Sequence, residues 1–320
     1  VLSIQDIREA MERIHRHTTR TPVFTSRSLN EWTGKEVYLK CESFQKGGAF
    51  KFRGALHAIS RLTDEEKKRG VISASSGNHA QAVALAARIH GTVPVLLMPA
   101  DAVEVKVEAV HSYGGTIIFY DRFHDDRDTL EKNLAHERGL TIIPPYDHPH
   151  VMAGAGTVAL ELLEEVPDLD AIVVPVGGGG LISGTACAAQ GIRPSIRIFG
   201  VEPEGAEDTL KSIRSGKRVQ INPPDTIADG LRATRPGLLT FPIIQKRVEN
   251  IFTTRDSEIV EAIRFCLFRL KLVIEPSGAI ALAAVLKNRL PSDVKRVGVI
   301  LSGGNIDPGC LRSILESKQD

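Results

Sequence analysis

Four consecutive glycines, Gly177, Gly178, Gly179 and Gly180, follow the apolar run AIVVPV (171–176) and precede LISGTACAAQ. With 28 glycines in 320 residues, such a run is expected by chance ~0.02 times per chain of this composition. Each ordered glycine costs about 0.5–1 kcal/mol relative to alanine, so the run implies that something approaches the backbone closely. Successive unhindered N–H groups at the start of a helix form an anion cradle without a charged side chain, and a phosphate is the natural guest. A tight turn that packs helix on strand is the alternative. No G-x-G-x-x-G spacing runs through the segment and no G-x-x-x-x-G-K-[ST] occurs, which speaks against dinucleotides and P-loop nucleotides.

A lone amine is the second reactive group. Lys51 lies in GGAFKFRGA, where small residues and two phenylalanines surround it, a setting that desolvates an ammonium and lowers its pKa. On spacing alone a lysine is surface charge. A phosphate cradle without a nucleotide pattern, together with a desolvated amine, instead matches the needs of pyridoxal phosphate. A third group, Ser75, Ser76, Gly77, Asn78 and His79, opens the helical stretch AQAVALAARIHG, so its N–H groups are placed to bind a carboxylate. An ordinary N-cap serine is the other reading there. His79 reads as a hydrogen-bonding loop residue on the carboxylate side, not a metal ligand.

The elements that must position these groups are legible as apolar, β-branched runs alternating with helical patterns: VISAS (71–75), VPVLLMP (93–99), TIIFY (116–120), TIIPP (141–145), AIVVPV (171–176), IRIFGV (196–201) and VGVILS (297–302). That alternation predicts an α/β chain with open, twisted, mostly parallel sheets covered by helices on both faces. Ligands of such sheets bind beyond the carboxyl ends of strands, which is where SSGNH, GGGG, EPEG and SGGN fall. The N-terminal segment predicts an amphipathic helix with Ile4, Ile7, Met11 and Ile14 on one face, and Thr63 with Glu66 forms a capping-box spacing. At roughly 150 residues per domain the length suggests two domains. The 40 Lys+Arg and 39 Asp+Glu leave a net charge of +1, which argues against nucleic acid and membrane surfaces as partners. Four scattered cysteines, Cys41, Cys187, Cys266 and Cys310, and no visible targeting or membrane segment lead us to expect a cytoplasmic protein.

TPVFTSRSLN, YLKCESFQKGGAFKFRGA, SASSGNHAQAVA, VPVGGGGLISG, ADGLR and VILSGGN occur in this order. Together they resemble the fold-type II pyridoxal-phosphate family, in its serine/threonine dehydratase and serine racemase branch. The resemblance implies a tryptophan synthase β-like pair of sheet domains with the cofactor in the cleft between them. Residues 1–64 and 149–320 would form a large cofactor-binding domain and 65–148 a small mobile one. Lys51 matches the Schiff-base lysine, Phe50 the ring-packing phenylalanine, and Asn78 the partner of the phenolic oxygen. Gly177 to Gly180 with Leu181 match the phosphate loop, Gly230 falls in the ADGLR motif at the cofactor, and Ser302 matches the residue facing the pyridine nitrogen. A serine there cannot hold that nitrogen protonated as a carboxylate would, which favours prompt loss of a β-leaving group.

On the substrate side, Ser76 matches a serine that faces the cofactor opposite the lysine in racemase-like members, and Arg127 an arginine brought toward the substrate's distal end. Glu202 and Asp208, with the carbonyl of Ala206, resemble a site for a structural divalent cation, Mg²⁺ or Ca²⁺. The alternative is a solvated acidic loop. Gly47 and Tyr146 depart from the pattern of nucleotide-activated racemases, and Ala233 replaces a substrate-side serine of those enzymes. The expected activity is therefore a dehydratase acting on serine, threonine or 3-hydroxyaspartate, in a homodimer. The competing readings are an amino-acid racemase with elimination as a side reaction, and a non-catalytic phosphate-ligand module.

Overall fold

In the computed structural model, residues 2–317 are described except 76, 103, 122 and 123, with backbone alone at 104–106. Ten strands form two sheets: β1 (Val23–Thr25), β2 (Glu36–Cys41), β3 (Val71–Ala74), β4 (Pro94–Pro99), β5 (Thr116–Tyr120), β6 (Thr141–Ile142), β7 (Ala171–Pro175), β8 (Arg197–Pro203), β9 (Asn250–Thr254) and β10 (Arg296–Leu301). The larger sheet has the order β1-β2-β10-β7-β8-β9 and the smaller β5-β4-β3-β6. Every pairing is parallel except β1 with β2. The mixed α/β architecture with mostly parallel sheets is the one expected.

All seven apolar runs become strands, and their lack of alternation has the expected cause. In the larger sheet Leu39, Val173, Phe199 and Val299 face the helices Asp256–Phe265 and Pro276–Leu286. Their neighbours Ile172, Val174, Ile198 and Ile300 face the helices Pro149–Glu165 and Gly180–Ile192. Both faces are dry, so both sets of side chains are apolar. TIIPP yields only a two-residue strand: β6 pairs with Val71 and Ile72 alone, and Pro144 and Pro145 bring no N–H to extend the ladder. The expected capping box of Thr63 and Glu66 closes the start of the helix Asp64–Arg69, and Ser3 and Asp6 form a second one at the start of Ile4–Ile14.

The helix Lys51–Ser60 lies at the seam between the sheets. Phe52, Leu56 and Ile59 join the core of the smaller sheet with Val71, Val83 and Leu96. On its other side it crosses the helix Pro149–Glu165 closely: a β-carbon on Gly54 would lie 2.8 Å from the Val151 carbonyl, and one on Gly154 2.4 Å from that of Arg53. Glycine is required at this crossing because any side chain would push the lysine-bearing helix away. No helix among the described residues is long and apolar enough to cross a membrane, and Cys41, Cys187 and Cys266 are buried free thiols.

Candidate active site

Lys51 is held by what surrounds its backbone. Phe50 donates its N–H to the Ser302 carbonyl at 3.0 Å, and Ala49 bridges Gly303, so the end of β10 fixes the residue before the helix. One turn in, Arg53 is fully buried and forked: Nε and Nη2 reach Glu42 at 2.8 and 2.9 Å, and Nη1 and Nη2 reach Glu161 at 2.7 and 2.8 Å. Lys40 completes the group, 2.6 Å from Glu161. Two cations and two carboxylates cancel, and the forked geometry satisfies the buried charges that solvent no longer reaches.

The half-buried Lys51 side chain donates from Nζ to the Pro145 carbonyl at 2.7 Å, and Nζ lies 5.2 Å from the centre of the Phe50 ring. Burial pushes the amine down to about 8, against an opposing pull from Glu275. Near neutral pH a useful fraction of it is therefore an unprotonated nucleophile and base.

Asn78 opens the helix Asn78–Ile89, and its side chain is doubly fixed: Nδ2 donates to Glu275 at 2.6 Å and Oδ1 accepts from Asn305 at 2.9 Å. The N-cap of this helix is Gly77, and among the described residues no side chain caps it, which leaves its first N–H groups to a ligand. The loop before it is anchored at Ser75, whose N–H donates to Leu97 and whose Oγ accepts from Gly77. Glu131 accepts the N–H of Ala74 at 2.7 Å. Ser76 lies outside the described residues.

His79 has its ring buried, with Nε2 2.9 Å from the Ile143 carbonyl. A carbonyl neighbour places the proton on Nε2, and burial, reinforced by the charge of Lys51, pushes the ring down to about 3. It is a neutral buttress under the loop, with its side chain turned into the core. Arg127 begins the helix Arg127–Arg138 and is paired with its neighbour Asp128 at 2.7 Å.

At the other end, Gly179 sits at φ +93° before the helix Gly180–Ile192, which also lacks a side-chain cap. Gly177 lies against Gly230 and Leu231. Gly230 donates to Ser277 Oγ at 2.9 Å, and Ser302, buried at the end of β10, donates to the Ser277 carbonyl at 3.4 Å. The ADGLR and SGGN motifs thus meet beside the glycine loop. Uncapped N–H groups at the glycines and a half-buried amine facing the seam fit a phosphorylated aldehyde cofactor.

Glu202 ends β8 fully buried, accepting from the N–H groups of Thr209 at 3.0 Å and Leu210 at 2.9 Å. Asp208 is equally buried, and among the described residues neither of its carboxylate oxygens has a hydrogen-bond partner. Burial pushes Asp208 up to about 7 and Glu202 up to about 8, the latter also repelled by Asp208. This is not a solvated loop. Ala206 is buried between them in sequence. No group of three or more His, Cys, Asp or Glu side chains among the described residues could hold a metal ion, so a cation here would rely on two carboxylates and backbone carbonyls.

Glu275 escaped the sequence reading, and Asn305 was legible only as the last residue of the SGGN junction. Glu275 and Asn305 hold Asn78 from either side, and the signal for Glu275 was a single acid in LVIEPSGAIALAAVL, just before the proline that starts a helix.

A family model described as "Pyridoxal-phosphate dependent enzyme" matches residues 14–303, and the chain belongs to that family. Pyridoxal phosphate is its cofactor, and the branch expected from the motifs is borne out by its relatives. Serine racemase of Schizosaccharomyces pombe is 50% identical over 304 residues, covering 94% of each chain. L-threo-3-hydroxyaspartate ammonia-lyase of Saccharomyces cerevisiae is 48% identical over 315 residues, covering 98% of this chain and 97% of that one. The structure of maize serine racemase superposes with a TM-score of 0.94 at 45% identity, over 98% of this chain and 97% of that one. The chain is an enzyme, and the reading as a non-catalytic module falls.

Proposed function

We propose that the chain is a dehydratase, an ammonia-lyase that converts serine, threonine or 3-hydroxyaspartate to the 2-oxo acid and ammonia. The observation that carries this reading is the Lys51 amine, brought down to about 8 at the seam between the sheets and flanked by the uncapped helix starts at Asn78 and Gly180. Pyridoxal phosphate, when bound, supplies an electron sink for the bonds at Cα. Gly177 to Gly180 and Leu181 would hold its phosphate, Phe50 and Gly230 would pack against its ring, and Asn78 and Ser302 would supply hydrogen-bonding side chains to it. Ser75, Gly77, Asn78 and His79 shape the pocket for the substrate carboxylate, and Arg127 reaches toward its distal end.

Lys51 Nζ takes the proton from Cα, and the β-hydroxyl leaves as water, the proton gained by Nζ making good the one the hydroxyl carries away. That water is returned when the released enamine tautomerises and hydrolyses, so the sum is amino acid to 2-oxo acid and ammonium. A neutral Ser302 suits this course because it does not stabilise a long-lived carbanion. Lys51→Ala should lose the cofactor's visible absorbance and 2-oxo acid release together. Retention of both would remove Lys51 from the chemistry.

A second reading is a racemase, favoured by the match of Ser76 to a serine of racemase-like members and by the 50% identity to a serine racemase. The chirality of recovered serine separates the two. We also assign a divalent cation, Mg²⁺ or Ca²⁺, to Glu202, Asp208 and the Ala206 carbonyl, and what supports it is the pair of unpartnered Asp208 oxygens. The division into 65–148 and the remainder is supported by the origin of β3 to β6 within 71–142. A homodimer is supported by the exposed rings of Phe24 and Phe44, 6.0 Å apart, and by exposed Trp32 and Val273.

A further inference from the structure

We propose that Asp147 is a positioning residue for the cofactor phosphate, acting through the first turn of the helix Thr240–Arg247 on the carbonyl of Gly178. The proposal rests on the glycine loop being the phosphate cradle.

The N-cap of that helix is Leu239, which has no side chain able to accept a hydrogen bond. Asp147, distant in sequence, supplies the cap. Its Oδ2 accepts from Leu238 N–H at 2.7 Å, and its Oδ1 from Leu239 at 2.8 Å and Thr240 at 3.3 Å. A carboxylate on three otherwise unpaired N–H groups at a helix start is a strong local fix.

The turn so held converges on one atom of the glycine loop. Thr240 donates from Oγ1 to the Gly178 carbonyl at 2.8 Å, and Gly237 donates its N–H to the same oxygen at 3.3 Å. In a planar trans peptide the carbonyl and the following N–H point in opposite directions. Anchoring the Gly178 oxygen on Thr240 therefore aims the Gly179 N–H away from that helix. The packing agrees, because a β-carbon on Gly179 would strike Thr240 and Ile244, and one on Gly178 would strike the ring of Tyr146.

Residues 145–147 thus touch both ends of the site. The Pro145 carbonyl accepts from Lys51 Nζ, the Tyr146 ring lies on Gly178, and Asp147 holds the turn that holds Gly178. The three consecutive residues tie the distance between amine and cradle to one short stretch of backbone.

The test compares two ligands differing only in the phosphate. Cofactor-free full-length protein is titrated with pyridoxal phosphate and with pyridoxal, following absorbance, for the wild type, Asp147→Ala, Asp147→Asn and Thr240→Val. Asp147→Ala should weaken pyridoxal phosphate roughly five- to ten-fold, as expected for a lost cap, and leave pyridoxal within two-fold. Thr240→Val should repeat the loss, and the double variant Asp147→Ala/Thr240→Val should lose less than the product of the two singles, since both act on one carbonyl. If Asp147→Ala does not fold, Asp147→Asn and Thr240→Val carry the same comparison. Equal weakening of both ligands, or an undiminished preference for the phosphorylated one, would overturn the role of Asp147. Equal affinity of the wild type for both ligands would instead overturn the cradle reading on which it rests.

Discussion

Glu42 and Glu161, under the helix that carries Lys51, share their four oxygens with Arg53 and Lys40. Glu202 and Asp208, at the end of β8, are just as deeply buried, yet among the described residues neither forms an ion pair, and Asp208 has no hydrogen bond from its side chain. Both clusters hold two acids inside the protein. The first is closed by cations of the chain itself and is electrically complete. The second is short of positive charge, and its carboxyls respond by holding protons at pH values where carboxylates normally do not. The contrast separates a cluster that is structure alone from one built around something the chain does not supply.

Breaking the complete cluster should have the largest effect. Arg53→Met leaves Glu42 and Glu161 buried with Lys40 as their one remaining cation, and removal of one partner from a buried group of this kind costs about 3–5 kcal/mol. Chemical denaturation should show that loss. Arg53→Lys should recover only part of it, because an ammonium cannot make the two forked pairs. A near-normal denaturation midpoint in Arg53→Met would mean that the four charges are not coupled as their geometry implies.

The incomplete cluster should respond to the solution. Without a cation, Asp208 titrates at about 7 and Glu202 at about 8, against 3.8 and 4.5 for the free groups. Between those limits the folded chain binds more protons than the unfolded one, so stability falls as pH rises through the window. A bound divalent cation keeps both groups ionised, removes that slope and stabilises by mass action. The melting temperature in chelator should therefore lie below that in excess Mg²⁺ or Ca²⁺, with the gap widening from pH 5 to pH 8. Asp208→Asn should abolish the response to cation and, in chelator at pH 8, melt above the wild type. A gap that does not depend on pH would argue that the two acids are not the ligands.

The same contrast shows what could be read from the chain. Seven strands were visible because a dry sheet makes its strands continuously apolar. β2 was not, because Lys40 in EVYLKC reads as a solvent-facing charge until its partner Glu161, 121 residues away, is known. β9, in NIFTT, has too few apolar residues to stand out, and β1 is three residues on an edge. The glycine run and the loop at 75–79 were legible as strand-to-helix junctions of costly or helix-opening residue types, and Lys51 through its apolar neighbours and the family motifs around it. Their supports were not: Glu275, Glu131 and Asp147 act through long-range hydrogen bonds, which leave no periodicity in the sequence.

The smallest effect concerns Lys51, a half-buried amine that belongs to neither cluster. Its amine is lowered by burial and held partway up by Glu275, whose carboxylate also accepts from Asn78. Glu275→Gln keeps an acceptor for Asn78 and removes the negative charge. The ammonium form of Lys51 then loses the carboxylate that favours it, so its midpoint should move below about 8, by less than the drop that burial has already produced. In cofactor-free protein this appears as a downward shift in the pH dependence of Lys51 acylation, mapped by mass spectrometry, with the plateau rate little changed. If the profile stays in place while the plateau falls, Glu275 acts by orienting Asn78 and not through its charge. An upward shift would contradict the sign of the interaction and show that loosened packing has let water reach the amine.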